Sequence, residues 1–310
     1  MTLELIEPGL ATLVQGTPFR GSRHLGMPLA GAADPAALAL ANWLAGNSSE
    51  AAALETAYAP VSFSVKEDCL AAVQGAATEV EIDGQRRGTG QSIMLKAGAR
   101  LTIPAPMGGC RSYLAIGGGI KVKPVLGATS TYSPARLGGI GGGALLRGTI
   151  VAANDGPSIS HHSIPDQFQL RYGMVFLIRI TAAPESEWIA PDTLINQKWT
   201  ISRRADRVGI ELDGTPIPLL RSDQIESSAV FPGTIQCPPS GKPFLLGPDA
   251  QTTGGYPRIA QIVRADRHLI GQLRPGAYVR FQRIEPAEAR RLYRSKIALI
   301  RQLQPDFRLD

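Results

Sequence analysis

The chain has 310 residues, of which 44% are hydrophobic and 19% are charged, a composition typical of a soluble globular protein with one large or two medium domains. Its formal net charge is +6, but lysine and arginine are dispersed and are not interleaved with aromatic residues, which argues against nucleic-acid binding. No segment approaches the ~18 consecutive apolar residues that span a bilayer, and Glu4 and Glu7 replace the basic start of a secretory signal, so we expect a cytoplasmic protein with no membrane contact.

Two helices are predicted near the start of the chain. Asp34 can accept hydrogen bonds from free helix amides, Pro35 suits the first helical position, and Gly46 ends the apolar pattern. Asn47, followed three residues later by Glu50, resembles a capping box and predicts a second helix directly after the first.

Most of the remaining chain predicts β-strands, because short apolar or alternating runs are separated by turn residues. In the last of these runs, Val279 and Phe281 alternate with Arg280 and Gln282, as in a strand with one buried face. The predicted strands are Leu70–Val73, Val80–Asp83, Ser92–Leu95, Arg100–Ile103, Tyr113–Ile116, Thr149–Ala152, Met174–Thr181, Lys198–Arg203, Ile259–Ala265 and Ala277–Ile284.

A polar passage at residues 154–167 interrupts the strands and predicts a division of the chain. We expect an N-terminal β-rich domain with the early helices at residues 1–160 and a C-terminal domain at residues 161–310. Many short strands and few helices predict a mainly β protein in which each half forms a closed or nearly closed β-barrel, since closure removes exposed sheet edges.

A basic helix is predicted at the end of the chain, from Pro286 onwards. Its apolar stripe would be packed against the domain and its arginines solvated, although contact with an acidic partner protein is the alternative. The stripe consists of Ala289, Tyr293, Ile297 and Ile300, and the other faces carry Arg290, Arg291, Arg294 and Arg301.

The stretch Pro232–Pro257 has the composition of a binding site, because it combines turn-forming residues with uncharged hydrogen-bonding side chains. The alternative is two structural loops around a short buried strand, and composition alone does not favour one interpretation over the other. The candidate ligand-binding residues here are Gln236, Gln251, Thr252, Thr253, Gly254, Gly255 and Tyr256.

Two charged residues complete this candidate site. Arg207 can steady a carboxylate or a developing oxyanion, and Asp249 can receive a proton. The equally open alternative is that Asp206 pairs with Arg207 while Asp249 caps its own turn. His24, beside a glycine turn, is either a structural residue or a further substrate-binding residue.

Other common sites lack support in the sequence. The glycine run 138–143 has no GK[ST] ending, so a phosphate-binding P-loop is not expected. Cys69, Cys110 and Cys237 are odd in number and far apart, which predicts reduced thiols without a disulfide or a metal site. Cys237 lies in the candidate loop region, where we expect it to be a small apolar filler instead of a nucleophile.

The motifs GTIQCPPSGKP and QTTGGYP closely resemble the carboxyltransferase-like family known as allophanate hydrolase subunit 2, which includes the C component of bacterial 5-oxoprolinase. Family-like segments cover about nine-tenths of the chain. They include HLGMPLAGAADP (His24–Pro35), ALE (Ala53–Glu55), RSYLAIGGGI (Arg111–Ile120), ADRVGIEL (Ala205–Leu212) and LRPGAYVRF (Leu273–Phe281). The resemblance implies a cyclophilin-like barrel at least in the second half.

The resemblance implies one member of a biotin-dependent carboxyltransferase or an ATP-dependent 5-oxoprolinase complex, acting on a small lactam, urea-like or amide substrate. Its partner would be a protein like allophanate hydrolase subunit 1 or the B component of 5-oxoprolinase, with a protein like the A component as a third member. The chain alone would bind no cofactor, and ATP or carboxybiotin would reach the reaction through the complex. The alternatives are the carboxyltransferase half of a urea carboxylase-like enzyme and a non-catalytic regulatory protein that antagonises a kinase inhibitor.

If the chain is such an enzyme subunit, Arg207 would stabilise negative charge, Asp249 would act as base and Tyr256 would complete the catalytic group. The other candidate residues would orient the substrate.

The chain departs from the family pattern in its first half. Where the family reads QDLGRPG, this chain has QGTPFRG, so that Gly16 replaces an acid and Phe19 an arginine. Further family charges are replaced at Thr129 and Gly143. We infer a divergent paralogue whose substrate or activity is left open by these replacements, with Arg20 as a partial replacement for the lost guanidinium.

Overall fold

The computed structural model describes residues 1–156, 162–221 and 225–309. They form two compact units, the first made of Met1–Phe19, Asp34–Tyr172 and Leu299–Arg308, the second of Arg20–Ala33, Gly173–Ala298 and Leu309. The predicted boundary between residues 160 and 161 lies outside the described residues, so domains at 1–160 and 161–310 stay a prediction. No periodicity in the sequence indicates that residues 20–33 group with the later part of the chain.

The first unit is built from two antiparallel sheets. Its elements are β1 (Thr2–Glu7), β2 (Ala11–Gln15), α1 (Pro35–Leu44), β3 (Ala53–Ala57), β4 (Val61–Val65), β5 (Cys69–Gly75), β6 (Glu79–Ile82), β7 (Gln85–Gly88), β8 (Ile93–Leu95), β9 (Arg100–Ile103), β10 (Arg111–Ile116) and β11 (Ile150–Ala152). One sheet has the order β11-β1-β4-β9-β6-β7 and the other β2-β3-β10-β5-β8.

The two sheets of this unit share one hydrophobic core, to which Leu5 and Phe63 contribute from the first sheet and Leu54 and Leu114 from the second. This is the arrangement of a β-sandwich. The prediction of a barrel in this half is therefore wrong: the strands form two open sheets, and their edges are protected in other ways. The outer strand β7 is short and fully exposed, and the free edge of β2 is covered by later residues, with the Thr131 amide donating to the Val14 carbonyl.

The first predicted helix is confirmed as α1. Oδ1 of Asp34 accepts the Ala37 amide at 3.0 Å, and Pro35 occupies the first turn. The predicted second helix is wrong, because Ala53–Ala57 forms strand β3 between β2 and β10. Asn47 does not cap a helix: its side-chain amide donates to the Ile116 carbonyl at 2.8 Å and its oxygen accepts the Gly118 amide.

The second unit contains the predicted closed barrel. Its elements are β12 (Val175–Ala182), β13 (Trp199–Ala205), β14 (Gly209–Asp213), β15 (Ser228–Ala229), β16 (Thr234–Gln236), β17 (Phe244–Leu246), β18 (Thr253–Gly254), β19 (Arg258–Ile262), β20 (Tyr278–Arg283) and α2 (Pro286–Ile300), with 3-10 helices at Arg23–Leu25, Ser186–Trp188 and Arg264–Gln272. Seven strands close in the order β12-β19-β16-β17-β14-β13-β20, where β12 and β20 pair in parallel. The mainly β fold is confirmed.

Burial in the barrel follows the alternation of its strands. In β20, Val279 and Phe281 are buried whereas Arg280 and Gln282 are exposed, as predicted. The same pattern holds in β12, where Ile178 is buried and its neighbour Leu177 is exposed. The barrel interior is therefore a packed apolar core.

The predicted basic helix is confirmed as α2, with its apolar side packed inward. Ala289 and Leu292 contact a buried cluster that includes Val263, while Arg290 and Arg294 are exposed. This supports the docked-helix interpretation of the stripe. No helix among the described residues is long and apolar enough to cross a membrane.

Candidate functional site

The stretch Pro232–Pro257 contributes two adjacent barrel strands, β16 and β17, and then leaves the barrel. Beyond β17, the strand β18 pairs with β15, so that Thr253 lies opposite Ala229. The Val230 amide continues this pairing by donating to the Thr252 carbonyl at 3.1 Å. The candidate loop is therefore held by backbone hydrogen bonds, and its side chains are available for other contacts.

Arg207 and Asp249 form one buried ion pair. Nε of Arg207 donates to Oδ2 of Asp249 at 2.9 Å and Nη2 donates to Oδ1 at 2.8 Å. The side chains are only 11% and 2% exposed, respectively. The alternative pairing of Arg207 with Asp206 is not formed, and Oδ1 of Asp206 instead accepts the backbone amides of Val208 and Gly209.

This ion pair also holds the segment formed by residues 20–33. Nη2 of Arg207 donates to the Gly31 carbonyl at 2.6 Å, and the Ala30 amide donates to the Pro248 carbonyl at 3.1 Å. A carboxylate that is paired with a guanidinium is stabilised in its charged form, which makes it a poor proton acceptor. The geometry therefore suits Arg207 and Asp249 better for positioning the loop than for proton transfer.

Gln236 lies behind the loop and not on its open face. Its side chain is buried, and Nε2 donates to the Tyr256 carbonyl at 3.1 Å. A Cβ atom added at Gly254 would lie 2.8 Å from that same Nε2, so the glycine allows the loop to pack directly on the amide. Gln236 thereby fixes the backbone at the position from which the Tyr256 side chain projects.

The open face of the loop carries three of the predicted residues. Gln251, Thr253 and Tyr256 are exposed, with Tyr256 at 51%. Thr252 is half-buried, Gly254 ends strand β18, and Gly255 follows it as an exposed residue. A ligand can therefore meet one amide, one aliphatic hydroxyl and one phenol on this face.

His24 is exposed in the 3-10 helix Arg23–Leu25, and its neighbour Arg23 makes the contact that sequence analysis missed. Nη2 of Arg23 donates to the Val230 carbonyl at 2.5 Å, and its guanidinium lies 4.8 Å from the centre of the Phe231 ring. Partial burial lowers the pKa of the Arg23 guanidinium. Val230 thus connects the turn that carries His24 with the loop at Thr252.

A buried polar network in the first unit was also missed. The Tyr113 hydroxyl donates to Oε2 of Glu55 at 2.7 Å, and Glu55 forms an ion pair of 3.2 Å with Arg111. The Asp34 amide donates to the Tyr113 hydroxyl, and Tyr172 donates to the Asp34 carboxylate. Burial, with the neighbouring carboxylates as the smaller cause, raises the pKa values of both tyrosines. The available signal was a charged residue inside each of two apolar strands, β3 and β10.

Two of the positions where family charges are missing, Gly16 and Thr129, lie close together in the first unit. The Gly16 amide donates to Oγ of Ser130 at 2.9 Å, and the Thr17 amide donates to Oγ1 of Thr129 at 2.9 Å. The Phe19 side chain is fully buried. Residues 16–17 and 129–130 therefore contact each other through uncharged groups.

The cysteines do not add a nucleophile to the candidate site. Cys69, Cys110 and Cys237 are buried and form no disulfide. Burial raises the pKa of the Cys237 thiol to about 11, which disfavours the reactive thiolate. Among the described residues, no group of three or more His, Cys, Asp or Glu side chains is arranged to hold a metal ion.

Comparisons with known proteins agree with the fold and with the motifs. The sequence profile of the carboxyltransferase domain, subdomain A and B, matches residues 25–283. The chain is 35% identical over 292 residues to the C component of 5-oxoprolinase from Escherichia coli (strain K12), covering 93% of each protein. It is 30% identical over 308 residues to the C component of 5-oxoprolinase from Haemophilus influenzae, covering 97% of each. The crystal structure of the K. lactis urea amidolyase is similar with a TM-score of 0.92 at 25% identity, over 97% of this chain and 20% of that one.

Proposed function

The chain belongs to the carboxyltransferase domain family, subdomain A and B, and from this premise we propose that it is the equivalent of the C component in an ATP-dependent 5-oxoprolinase-type complex. The substrate would be a small lactam or a related amide. The observation that carries the proposal is the match to the C components of two 5-oxoprolinases along nearly their whole length.

The chemistry of the loop supports a neutral, planar, amide-like ligand. Such a molecule presents an N–H donor and a carbonyl acceptor, and Gln251, Thr253 and Tyr256 offer complementary groups on an exposed face. A site built to pair with these groups discriminates strongly against analogues that lack them. We assign substrate contact to these three side chains.

Arg207 and Asp249 act in this proposal as positioning residues. Their ion pair holds the loop at Pro248–Asp249 against the segment that ends at Ala33, without requiring either group to exchange a proton. The buried Gln236 of strand β16 supports the same loop through its hydrogen bond to the Tyr256 carbonyl. Tyr256 is then the residue in a position to contact the reacting amide.

The complete reaction requires partners. We propose a protein like the B component of 5-oxoprolinase as the direct partner and a protein like the A component as the member that uses ATP, with neither ATP nor carboxybiotin bound by this chain alone. The two bacterial relatives are each named as one subunit of 5-oxoprolinase, which supports a multisubunit enzyme.

The test is to co-express the chain with its neighbouring gene products, isolate the assembled complex and measure ATP-dependent release of glutamate from 5-oxoproline. Glutamate release that disappears when this chain is omitted supports the proposal. An assembled complex that turns over neither 5-oxoproline nor another lactam nor urea contradicts it.

A carboxyltransferase half of a urea carboxylase-like enzyme is the second candidate, favoured by the fold similarity to the K. lactis urea amidolyase. In the same assay, this candidate predicts urea-dependent consumption of carboxybiotin and no release of glutamate. A non-catalytic regulatory role is favoured by the neutral packing around Gly16 and Phe19. It predicts stable complex formation with no turnover of either substrate.

A further inference from the structure

An open pocket of about 500 Å³ lies in the second unit, between the end of β19, the 3-10 helix Arg264–Gln272 and the first turns of α2. Four arginines line it, and the residues that line it include no aspartate or glutamate. The arginines are Arg264, Arg267, Arg290 and Arg294. We refer to it as the arginine pocket.

Three of these arginines have no carboxylate partner among the described residues. In the part of the chain that the structure describes, no ion pair involves Arg264, Arg290 or Arg294. Elsewhere on the same barrel, arginines are neutralised at short range, as in the pairs Arg179–Asp266 and Arg258–Glu185. The arginine pocket therefore concentrates charge that the protein balances elsewhere.

Arg264 is held in place by neutral groups. Its guanidinium donates to the Leu309 carbonyl and lies 4.3 Å from the centre of the Tyr293 ring. The Tyr293 hydroxyl donates to the same carbonyl at 3.1 Å. These contacts orient the guanidinium through neutral groups, so an anion entering the pocket would meet a partly prearranged donor.

The walls of the pocket strengthen its attraction for an anion. Ile262, Val263 and Ala289 line it together with the arginines, and apolar walls reduce the screening of nearby charges. Several guanidinium groups around one cavity repel each other, and a ligand with more than one negative charge relieves that repulsion. The planar fork of arginine matches phosphoryl oxygens in a bidentate manner.

We propose that the arginine pocket binds a small molecule that carries phosphoryl groups with at least two negative charges. The cavity of about 500 Å³ lies within the range of small-molecule sites, which is roughly 300–1,000 Å³. Its concave shape and mixed arginine and apolar lining favour such a ligand over an extended acidic peptide. This site is separate from the Gln251–Tyr256 loop and does not depend on the function proposed above.

The test uses inorganic pyrophosphate as the probe and isothermal titration calorimetry on the full chain at constant ionic strength. Arg290→Gln with Arg294→Gln removes two exposed arginines of the pocket. The matched control, Arg280→Gln with Arg291→Gln, changes the net charge equally at two exposed positions outside the pocket. We expect one pyrophosphate to bind the unaltered chain and the control, and the pocket variant to bind at least about tenfold more weakly.

Absence of pyrophosphate binding to the unaltered chain, or equal weakening in both double variants, would overturn the proposal. A poly-glutamate peptide that binds more tightly than pyrophosphate, and loses its binding in the pocket variant, would instead assign the surface to an acidic protein partner. Asp310 follows Leu309 and lies outside the described residues, so Asp310→Asn is titrated as well. Binding that appears only in Asp310→Asn would assign the arginines to the chain's own carboxylate and overturn the proposal.

Discussion

The Tyr172 hydroxyl donates a 2.6 Å hydrogen bond to Oδ2 of Asp34, while Oδ1 of the same carboxylate accepts the Ala37 amide at the start of α1. The Asp34 backbone amide in turn donates to the hydroxyl of Tyr113 at 2.7 Å. One aspartate therefore joins the first turn of a buried helix to the buried Tyr113 and the half-buried Tyr172. Asp34 and Tyr172 are also the first and last residues of Asp34–Tyr172, the longest of the three segments that make up the first unit.

Asp34→Ala is expected to lower the free energy of unfolding by about 2–4 kcal/mol. The variant loses a helix cap, which contributes about 1 kcal/mol, and leaves the half-buried Tyr172 hydroxyl without its acceptor, which costs about 1–3 kcal/mol. Urea-induced unfolding of the chain measures the loss. Tyr256→Phe is the control at an exposed tyrosine, and an Asp34→Ala chain as stable as this control would contradict the assignment.

His268 is expected to make the stability of the chain fall in mild acid. Nζ of Lys296 lies 2.7 Å from Nδ1 of His268, in a pocket that also includes Arg179 and Asp266. Burial first, and the Lys296 charge second, lower the pKa of His268 well below its usual value of 6.5. The unfolded chain therefore binds a proton near pH 6.5 that the folded chain does not bind.

The sign follows from this proton balance: the stabilisation is complete above about pH 6.5 and decreases as the pH falls below it, by at most about 1.4 kcal/mol per pH unit. His268→Gln should remove this part of the dependence in urea unfolding measured between about pH 5 and pH 8. His24→Gln, at an exposed histidine outside this pocket, should retain it. Equal pH profiles for His268→Gln and the unaltered chain would exclude His268 as the cause.

Gly16→Asp, which restores the acidic residue that the family has at this position, is expected to lower the free energy of unfolding. A Cβ atom at this position would overlap Oγ1 of Thr129 and lie 2.9 Å from the Ala52 Cα atom. Overpacking of this kind typically costs about 1–3 kcal/mol. Gly143→Asp is the matched control, since a Cβ atom there meets nothing within 4 Å, and its effect should stay within about 0.5 kcal/mol. Thermal unfolding that ranks the two variants equally would contradict the packing argument.

The sequence predicts the local elements best where their signals are local. Asp34 and Pro35 predict α1 because a cap and a first-turn proline act within one turn of helix. Strand β20 is predicted because its side chains alternate between core and solvent. By contrast, Asn47 and Glu50 have the spacing of a capping box, but Asn47 instead binds the backbone of Ile116 and Gly118, which are distant in sequence.

The candidate site divides in the same way. The motif around Gln251–Tyr256 identifies the loop, and its exposed side chains agree with a binding surface. The partner of Arg207 could not be predicted, because Asp249 and Gly31 come from segments that are separated by most of the barrel's sequence. Asp206 is the neighbour in sequence, yet its carboxylate is used by its own turn. Ion pairs that form only when the barrel closes cannot be predicted from the spacing of residues in the sequence.

Asp249→Asn is expected to lower the free energy of unfolding by about 3–5 kcal/mol, since removing one charge of a buried pair leaves the other uncompensated. The neighbouring variant Asp206→Asn should cost less than about 1 kcal/mol, because asparagine can also accept the Val208 and Gly209 amides. Denaturant unfolding followed by tryptophan fluorescence compares the two. An Asp249→Asn chain no less stable than Asp206→Asn would show that the ion pair does not hold the loop.

Gln251→Ala combined with Tyr256→Phe is expected to lower kcat/KM for 5-oxoproline in the assembled complex by at least about tenfold, because in the proposed site each change would remove a hydrogen bond to the substrate. Both side chains are exposed, so the free energy of unfolding should change by less than about 0.5 kcal/mol. Ser240→Ala is the control at an exposed residue of the same stretch. Gln236→Ala, unlike the double variant, should lower the free energy of unfolding, because the buried Gln236 amide donates to the Tyr256 carbonyl. Loss of stability in the double variant, or turnover equal to that of Ser240→Ala, would mean that the loop is structural and that substrate binds elsewhere.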